Sequence, residues 1–252
     1  MCVAAFAWQA HRRWRLVAIG NRDEYHERPA APLSAWDNGI LAGRDLQSGG
    51  TWLGIGTAGR FALVTNRRGF GEREPDKVSR GALVSDLLTG SGPYGDPHDA
   101  ALGDFNPFNL ILADSAQAHF LSNRPEDVRT TLVHGIYGLS NGELDEPWPK
   151  TLQLKAALLD WLNGPASDFA PLFAALADED LAAIGLHPRE PSDVPREAPE
   201  TPVFIRDADY GTRCSTVVAI DRDGHGTIVE RRFSALGEAT GETALAFRAP
   251  AS

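Results

Sequence analysis

The chain opens Met1-Cys2-Val3-Ala4-Ala5-Phe6, and its next apolar stretch closes on Ile19-Gly20-Asn21-Arg22-Asp23-Glu24. Val3–Trp8 and Leu16–Gly20 are short apolar runs joined by a polar, arginine-rich turn, which is the pattern of a β-hairpin. In an antiparallel pair the end of the second strand returns beside the start of the first. The pairing therefore places Arg22 and Asp23 near Cys2 in space.

A cysteine at position 2 becomes the first residue if Met1 is removed. One residue then carries both a thiol and a free α-amine. With a reference pKa of about 7.7–8.0, that amine can take the thiol proton near neutral pH. Arg22 could hold a thiolate or a substrate carboxylate and lower the thiol pKa, while Asp23 could fix the α-ammonium. The plainer alternative makes Cys2 an ordinary strand residue and Arg22-Asp23-Glu24 a solvated turn. Position beside a terminal cysteine puts the chemical reading at least level with the plainer one.

Composition narrows the classes. The 252 residues are 42% hydrophobic and 23% charged, with a formal net charge of -10, so the expectation is a single globular domain over residues 1–252. No basic patch or tail invites nucleic acid or an anionic membrane. Two cysteines do not make a disulfide framework. The basic residues His11, Arg12, Arg13 and Arg15 follow the first apolar run, the reverse of a signal peptide. No stretch approaches the roughly 18 apolar residues of a membrane span. The reading is a reduced, soluble, cytoplasmic protein.

Hairpins dominate the remaining pattern. Thr51–Thr57 and Phe61–Thr65 flank Ala58-Gly59, and strands are expected at Asn109–Asp114, Ala118–Ser122, Thr131–His134 and Tyr137–Leu139. Helices are expected at Val78–Leu88, before Gly90, and from Trp148 to Leu162, before Asn163-Gly164. Phe169–Ala177 and Leu181–Gly185 continue the helical section, with a further helical turn at His98–Leu102. His187–Pro202, with five prolines, reads as a surface loop. Thr216–Asp221 and Thr227–Phe233 form a last hairpin around Asp223-Gly224. This order favours antiparallel sheets with helices stacked outside them.

Two familiar patterns lack their context. Gly54-Ile55-Gly56-Thr57-Ala58-Gly59 matches a dinucleotide fingerprint, but another strand follows it instead of a helix. Gly138-Leu139-Ser140-Asn141-Gly142 matches a nucleophile elbow, but Glu143-Leu144-Asp145-Glu146-Pro147 delays any helix. Asp207 and His225 follow in a permissible order, so a serine hydrolase stays a third alternative. The seven histidines show no zinc-ligand spacing, and no metal site is expected. Cys214, in a strand, reads as a small buried hydrophobe.

Met1-Cys2, Ala18–Glu24, Arg28-Pro29, Gly49–Gly54, Thr65-Asn66, Phe108–Leu110, Tyr137–Asn141, Pro147-Trp148 and Tyr210–Arg213 together resemble the NRDE-domain family, also called the transport and Golgi organisation protein 2 family. The likeness covers nearly the whole chain. It implies an α+β fold of the N-terminal nucleophile (Ntn) hydrolase type, a four-layer αββα sandwich of two antiparallel sheets flanked by helices. More distantly the pattern is similar to the cysteine Ntn amidases, the bile-salt hydrolases and penicillin V acylases. By that resemblance the catalytic positions are Cys2, Arg22, Asp23, Asn66, Asn141 and Arg213. Asn66 would donate to a tetrahedral oxyanion, Asn141 would orient the amine or the scissile amide, and Arg213 would neutralise a neighbouring acid.

The resemblance implies two functions. One is hydrolysis of a non-peptide amide through a Cys2 thioester, needing no cofactor. The other is binding and trafficking of haem, or of another lipophilic ligand, on a non-catalytic Ntn-like fold. Haem would call for a large apolar cleft and an axial His, Cys or Tyr.

Overall fold

A computed structural model describes residues 2–189, 191 and 200–251. Met1, Ser252, and residues 190 and 192–199 of the proline-rich stretch read as a surface loop, lie outside the described residues. In chain order the elements are β1 (Cys2–Trp8), β2 (Trp14–Tyr25), β3 (Ala30–Ala35), β4 (Leu41–Asp45), β5 (Leu53–Ile55) and β6 (Phe61–Asn66), then α1 (Arg80–Thr89). They continue with β7 (Phe108–Ala113), β8 (Ala118–Ser122), β9 (Val128–Thr131), β10 (Gly135–Leu139), α2 (Pro149–Asn163), α3 (Ala170–Leu176), β11 (Tyr210–Asp221), β12 (His225–Phe233) and β13 (Ala239–Arg248).

The strands form two antiparallel sheets, ordered β10-β1-β2-β11-β12-β13 and β3-β4-β5-β6-β7-β8-β9. Side-chain alternation along β1 shows how they stack. Ala4, Phe6 and Trp8 face one way and meet Leu53, Phe61, Leu63 and Ile111 of the seven-stranded sheet. Val3, Ala5 and Ala7 face the other way and meet Leu154, Leu158 and Trp161 of α2 and Leu172 and Phe173 of α3. Both faces of the strand are covered, so its sequence is an unbroken apolar run. On the far side of the seven-stranded sheet, Ala62, Val64, Leu110 and Leu112 pack against Leu83, Val84, Leu87 and Leu88 of α1. The layers run α, β, β, α, as the family resemblance implies.

Local chemistry sets the helix ends. The Ser79 side chain accepts from the Gly81 N–H at the start of α1, and Gly90 ends the helix at φ 66°. Pro149 opens α2, where its missing N–H costs nothing. The dinucleotide-like glycines belong to the β5–β6 hairpin: Gly59 turns at φ 69°, and Gly56 lies against the end of α1.

The structure departs from expectation in five places. The strand expected at Thr131–His134 runs instead over Val128–Thr131, and residues 132–134 are irregular. Leu181–Gly185 is irregular, not helical. The turn expected at His98–Leu102 is a 3-10 turn at Leu102–Asp104. Strands β3 and β4 occupy a stretch that carries no strong strand signal, and β13 adds a third strand to the last hairpin.

A methyl group on Gly56 would sit 1.9 Å from the Leu88 carbonyl oxygen, which is backbone and cannot swing away. Gly56→Ala is expected to destabilise the protein by about 1–3 kcal/mol, the usual cost of overpacking. Urea unfolding measures it, and an unchanged midpoint would show that α1 is not seated tightly on β5.

Candidate active site

The β1–β2 register pairs Cys2 with Arg22, as the hairpin reading requires. On its other side β2 pairs with β11, where Arg22 lies opposite Cys214 and Asp23 opposite Thr212. Arg213 occupies the register shift between those two pairs. Arg22 thus stands between the two cysteines, both of which are free thiols.

A cavity of about 480 Å³ opens at this end of the sandwich, lined by Cys2, Arg22, Asp23 and Asn66 among others. The two remaining residues of the predicted set, Asn141 and Arg213, are not part of its lining. Asn141 donates from Nδ2 to the Asn66 carbonyl at 2.8 Å, fixing the end of β6. Its neighbour Ser140 donates to the Cys2 carbonyl at 2.9 Å. The elbow-like pentapeptide therefore ties β10 to β1 and β6, and α2 begins only at Pro149. Arg213 was expected to neutralise an acid. Its Nη1 donates to the carbonyls of Tyr25, His26 and Arg28 at 2.8, 3.1 and 3.2 Å, so it holds the turn after β2, and the Glu24 charge also acts on it.

Each member of the Asn-Arg-Asp-Glu run has its own partner. Asn21 donates to the Leu176 and Val203 carbonyls, both at 2.8 Å, and accepts from Ser215 at 2.7 Å. It anchors the end of α3 and takes no part in the cavity. Asp23 accepts from the Thr212 hydroxyl at 2.7 Å. Glu24 lies 3.6 Å from Arg22 and 3.5 Å from Arg28.

Arg22 is 5% exposed, and what holds it comes from the other sheet. Its Nη2 lies 3.2 Å from Oδ2 of Asp45, the last residue of β4. Its guanidinium lies over the Trp52 ring, 4.6 Å from the centroid. Arg28 bonds the same Asp45 oxygen from Nε at 2.6 Å and donates to Ser48 at 3.0 Å. The other Asp45 oxygen accepts the N–H groups of Gln47 and Ser48 at 3.0 and 2.9 Å. Sequence reasoning missed Asp45 and Trp52 as site residues, although Trp52 lies within the Gly49–Gly54 stretch that carries the family likeness.

Burial works to raise the Asp45 pKa. The hydrogen bonds from Arg28 and the Ser48 backbone, with the charges of Arg28 and Arg22, outweigh it and hold the carboxyl below its usual range. The Cys2 thiol goes the other way from the sequence expectation. Burial pushes it up and the Asp23 charge adds to the rise; the positive chain terminus, the Asp23 backbone N–H and the Arg22 charge pull it down without compensating. Cys214 is pushed well above the ordinary thiol range by burial, with Glu230 adding to the shift.

With this geometry in view, comparison with known proteins supplies the lineage. The sequence model of the family described as Transport and Golgi organisation 2 matches residues 1–235. This chain belongs to that family. A Bos taurus protein named as a Transport and Golgi organization protein 2 homolog is 35% identical over 261 residues, covering 92% of each chain. Family members from Mus musculus and Homo sapiens, similarly named, are each 32% identical, with the same coverage. Among solved structures, a Caenorhabditis elegans N-acylethanolamine-hydrolyzing acid amidase ortholog superposes with a TM-score of 0.50 at 13% identity. The superposition covers 86% of this chain and 92% of that one. At that identity the likeness establishes a shared Ntn-hydrolase-like fold. Among the described residues no helix is long and apolar enough to cross a membrane.

The depressed Asp45 pKa has a definite sign. Its stabilising contribution is full above the unfolded-state value of about 3.9 and is lost as pH falls through the lower folded value. The stability gap between wild type and Asp45→Asn should therefore be constant near neutrality and close below about pH 4. Chemical unfolding at a series of pH values tests this, and a gap independent of pH would contradict the pairing.

Proposed function

We propose that this family member is a cysteine N-terminal-nucleophile hydrolase that cleaves a non-peptide amide in a small acylated substrate. The observation that carries the reading is the pairing of Cys2 with Arg22 at a cavity that Asp23 and Asn66 also line.

In the proposed reaction Met1 has been removed and Cys2 is terminal. A thiol attacks as its thiolate, so the step needs a base on the spot, and the α-amine of Cys2 is one. The amine takes the thiol proton and sulfur attacks the amide carbon, pushing the carbonyl electrons onto oxygen. The Asn66 side-chain amide stabilises that oxyanion. On collapse the C–N bond breaks and the leaving amine receives the proton from the α-ammonium, leaving a Cys2 thioester. Water, deprotonated by the same amine, then attacks the thioester, releasing the acid and restoring the thiol. Asp23, held by Thr212, orients the α-ammonium. Asn141 acts through Asn66, whose carbonyl it binds.

Haem fits the cavity less well. Charged side chains outnumber apolar ones along its wall, and no histidine is among its lining residues. Cys2, Tyr25 and Tyr210 are the lining residues of an axial-ligand type. An apolar macrocycle would bury several ion-paired groups there without replacing their partners.

Three measurements bear on the proposal. Intact mass of protein made in cells should lack Met1, and quantitative retention would rule out the terminal amine as base. Cys2→Ala should abolish turnover across a panel of acylated amines. Asn66→Ala should lower the rate about 10²–10³-fold, as loss of an oxyanion donor does. Hydrolysis that persists in Cys2→Ala would defeat the reading. So would saturable haem binding that is indifferent to both substitutions in a protein that hydrolyses no amide.

A further inference from the structure

The chemistry proposed at Cys2 depends on where the Arg22 charge points, and the groups that set its direction lie outside the hairpin that carries it. Arg22 is almost fully buried. Its Nη2 is held by Asp45 and its planar face by Trp52, both from the seven-stranded sheet side of the sandwich. Its Nη1 is buried and has no hydrogen-bond partner among the described residues. A buried cationic N–H without an acceptor is costly in a folded protein and calls for an explanation. Since Arg22 lines the cavity beside Cys2, an acceptor oxygen on a bound ligand meets that need.

We propose that Asp45 is a positioning residue: by holding Nη2 of Arg22 it aims Nη1 at an anionic or carbonyl oxygen of the ligand beside Cys2. Arg28 completes the device by bonding the same carboxylate oxygen at 2.6 Å. Arg213 supports it from behind, since it binds the carbonyls of Tyr25, His26 and Arg28 and so fixes the turn that presents Arg28. The position that the family resemblance marks as a late catalytic arginine thus acts through Arg28 and Asp45. This inference rests on Cys2 being a nucleophile, as proposed above.

The direction of the Arg22 charge can be read without knowing the natural substrate. Iodoacetate and iodoacetamide alkylate the same thiolate by the same displacement of iodide, but only iodoacetate is an anion. The ratio of their rates at Cys2, followed by peptide mass spectrometry, cancels thiol pKa and access and reports the oriented positive charge. A pure field effect and a positioning effect then differ in sign. Removing the negative charge of Asp45 should raise the ratio if the carboxylate acts only through its field. If Asp45 aims Arg22, the ratio should fall in Asp45→Ala by about fivefold, the scale of one unit-charge contact in water-like surroundings. Asp45→Asn keeps one acceptor oxygen and should recover part of the ratio while staying below wild type. Circular dichroism confirms that each variant is folded, and if Asp45→Ala is not, Asp45→Asn alone decides.

A ratio that is unchanged or raised in the folded variants overturns the positioning role and leaves the nucleophile intact. A wild-type Cys2 that reacts with neither reagent overturns the nucleophile reading and this inference with it. Amide hydrolysis by wild type, scored separately, tells the two failures apart.

Discussion

Strand β2 is covered on both faces, and every polar side chain it carries beyond Gly20 must find its partner inside the protein. Asn21 meets this constraint toward the helices, through the end of α3. Arg22 meets it toward the opposite sheet, through Asp45 and Trp52. Asp23 meets it along the sheet, through Thr212 of β11. A four-residue polar run thereby joins three layers of the sandwich at one point. Burying an arginine there is expensive, and its pairing with a carboxylate that collects four donors is what makes the burial tolerable. The cavity lies where the apolar part of β2 stops.

The same constraint explains which parts of the molecule could be read from residues alone. Strands β1 and β2 and helices α1 and α2 fill the layer interfaces, so packing imposed an apolar pattern on them. Strand β13, at the edge of its sheet, has alternating exposed and half-buried residues. Strand β3, at the edge of the other sheet, carries Pro32 and Ser34 and buries only Leu33. Edge strands need few core contacts and therefore leave little periodicity. Leu181–Gly185 has a helix-like spacing, yet Leu181 and Ile184 are exposed, and without a face to bury the spacing means nothing.

At the site, Cys2 and Arg22 were legible because a short hairpin joins them, and Asn66 because it ends a strand in a recognisable motif. Asp45 carries no local mark, since a charged residue at the end of a polar strand reads as solvated surface until the opposite sheet is placed. For Arg213 the family resemblance implied an acid partner; a register shift in β11 places it against backbone carbonyls of the turn after β2, and the Glu24 charge also acts on it.

The pairing of β2 with β11 also fixes when the site can exist. Asp23 and the threonine that holds it are 189 residues apart, and β11 itself is flanked by β12 on its outer side. Contacts of such separation form late, because a long loop must close before they offer any return. During synthesis the β1–β2 hairpin emerges almost at once, but its polar end waits for the last quarter of the chain. Until then an apolar strand ending in buried charges has no second neighbour. The nascent chain therefore carries an unpaired, largely apolar strand edge for most of its synthesis, the kind of surface through which incomplete chains aggregate.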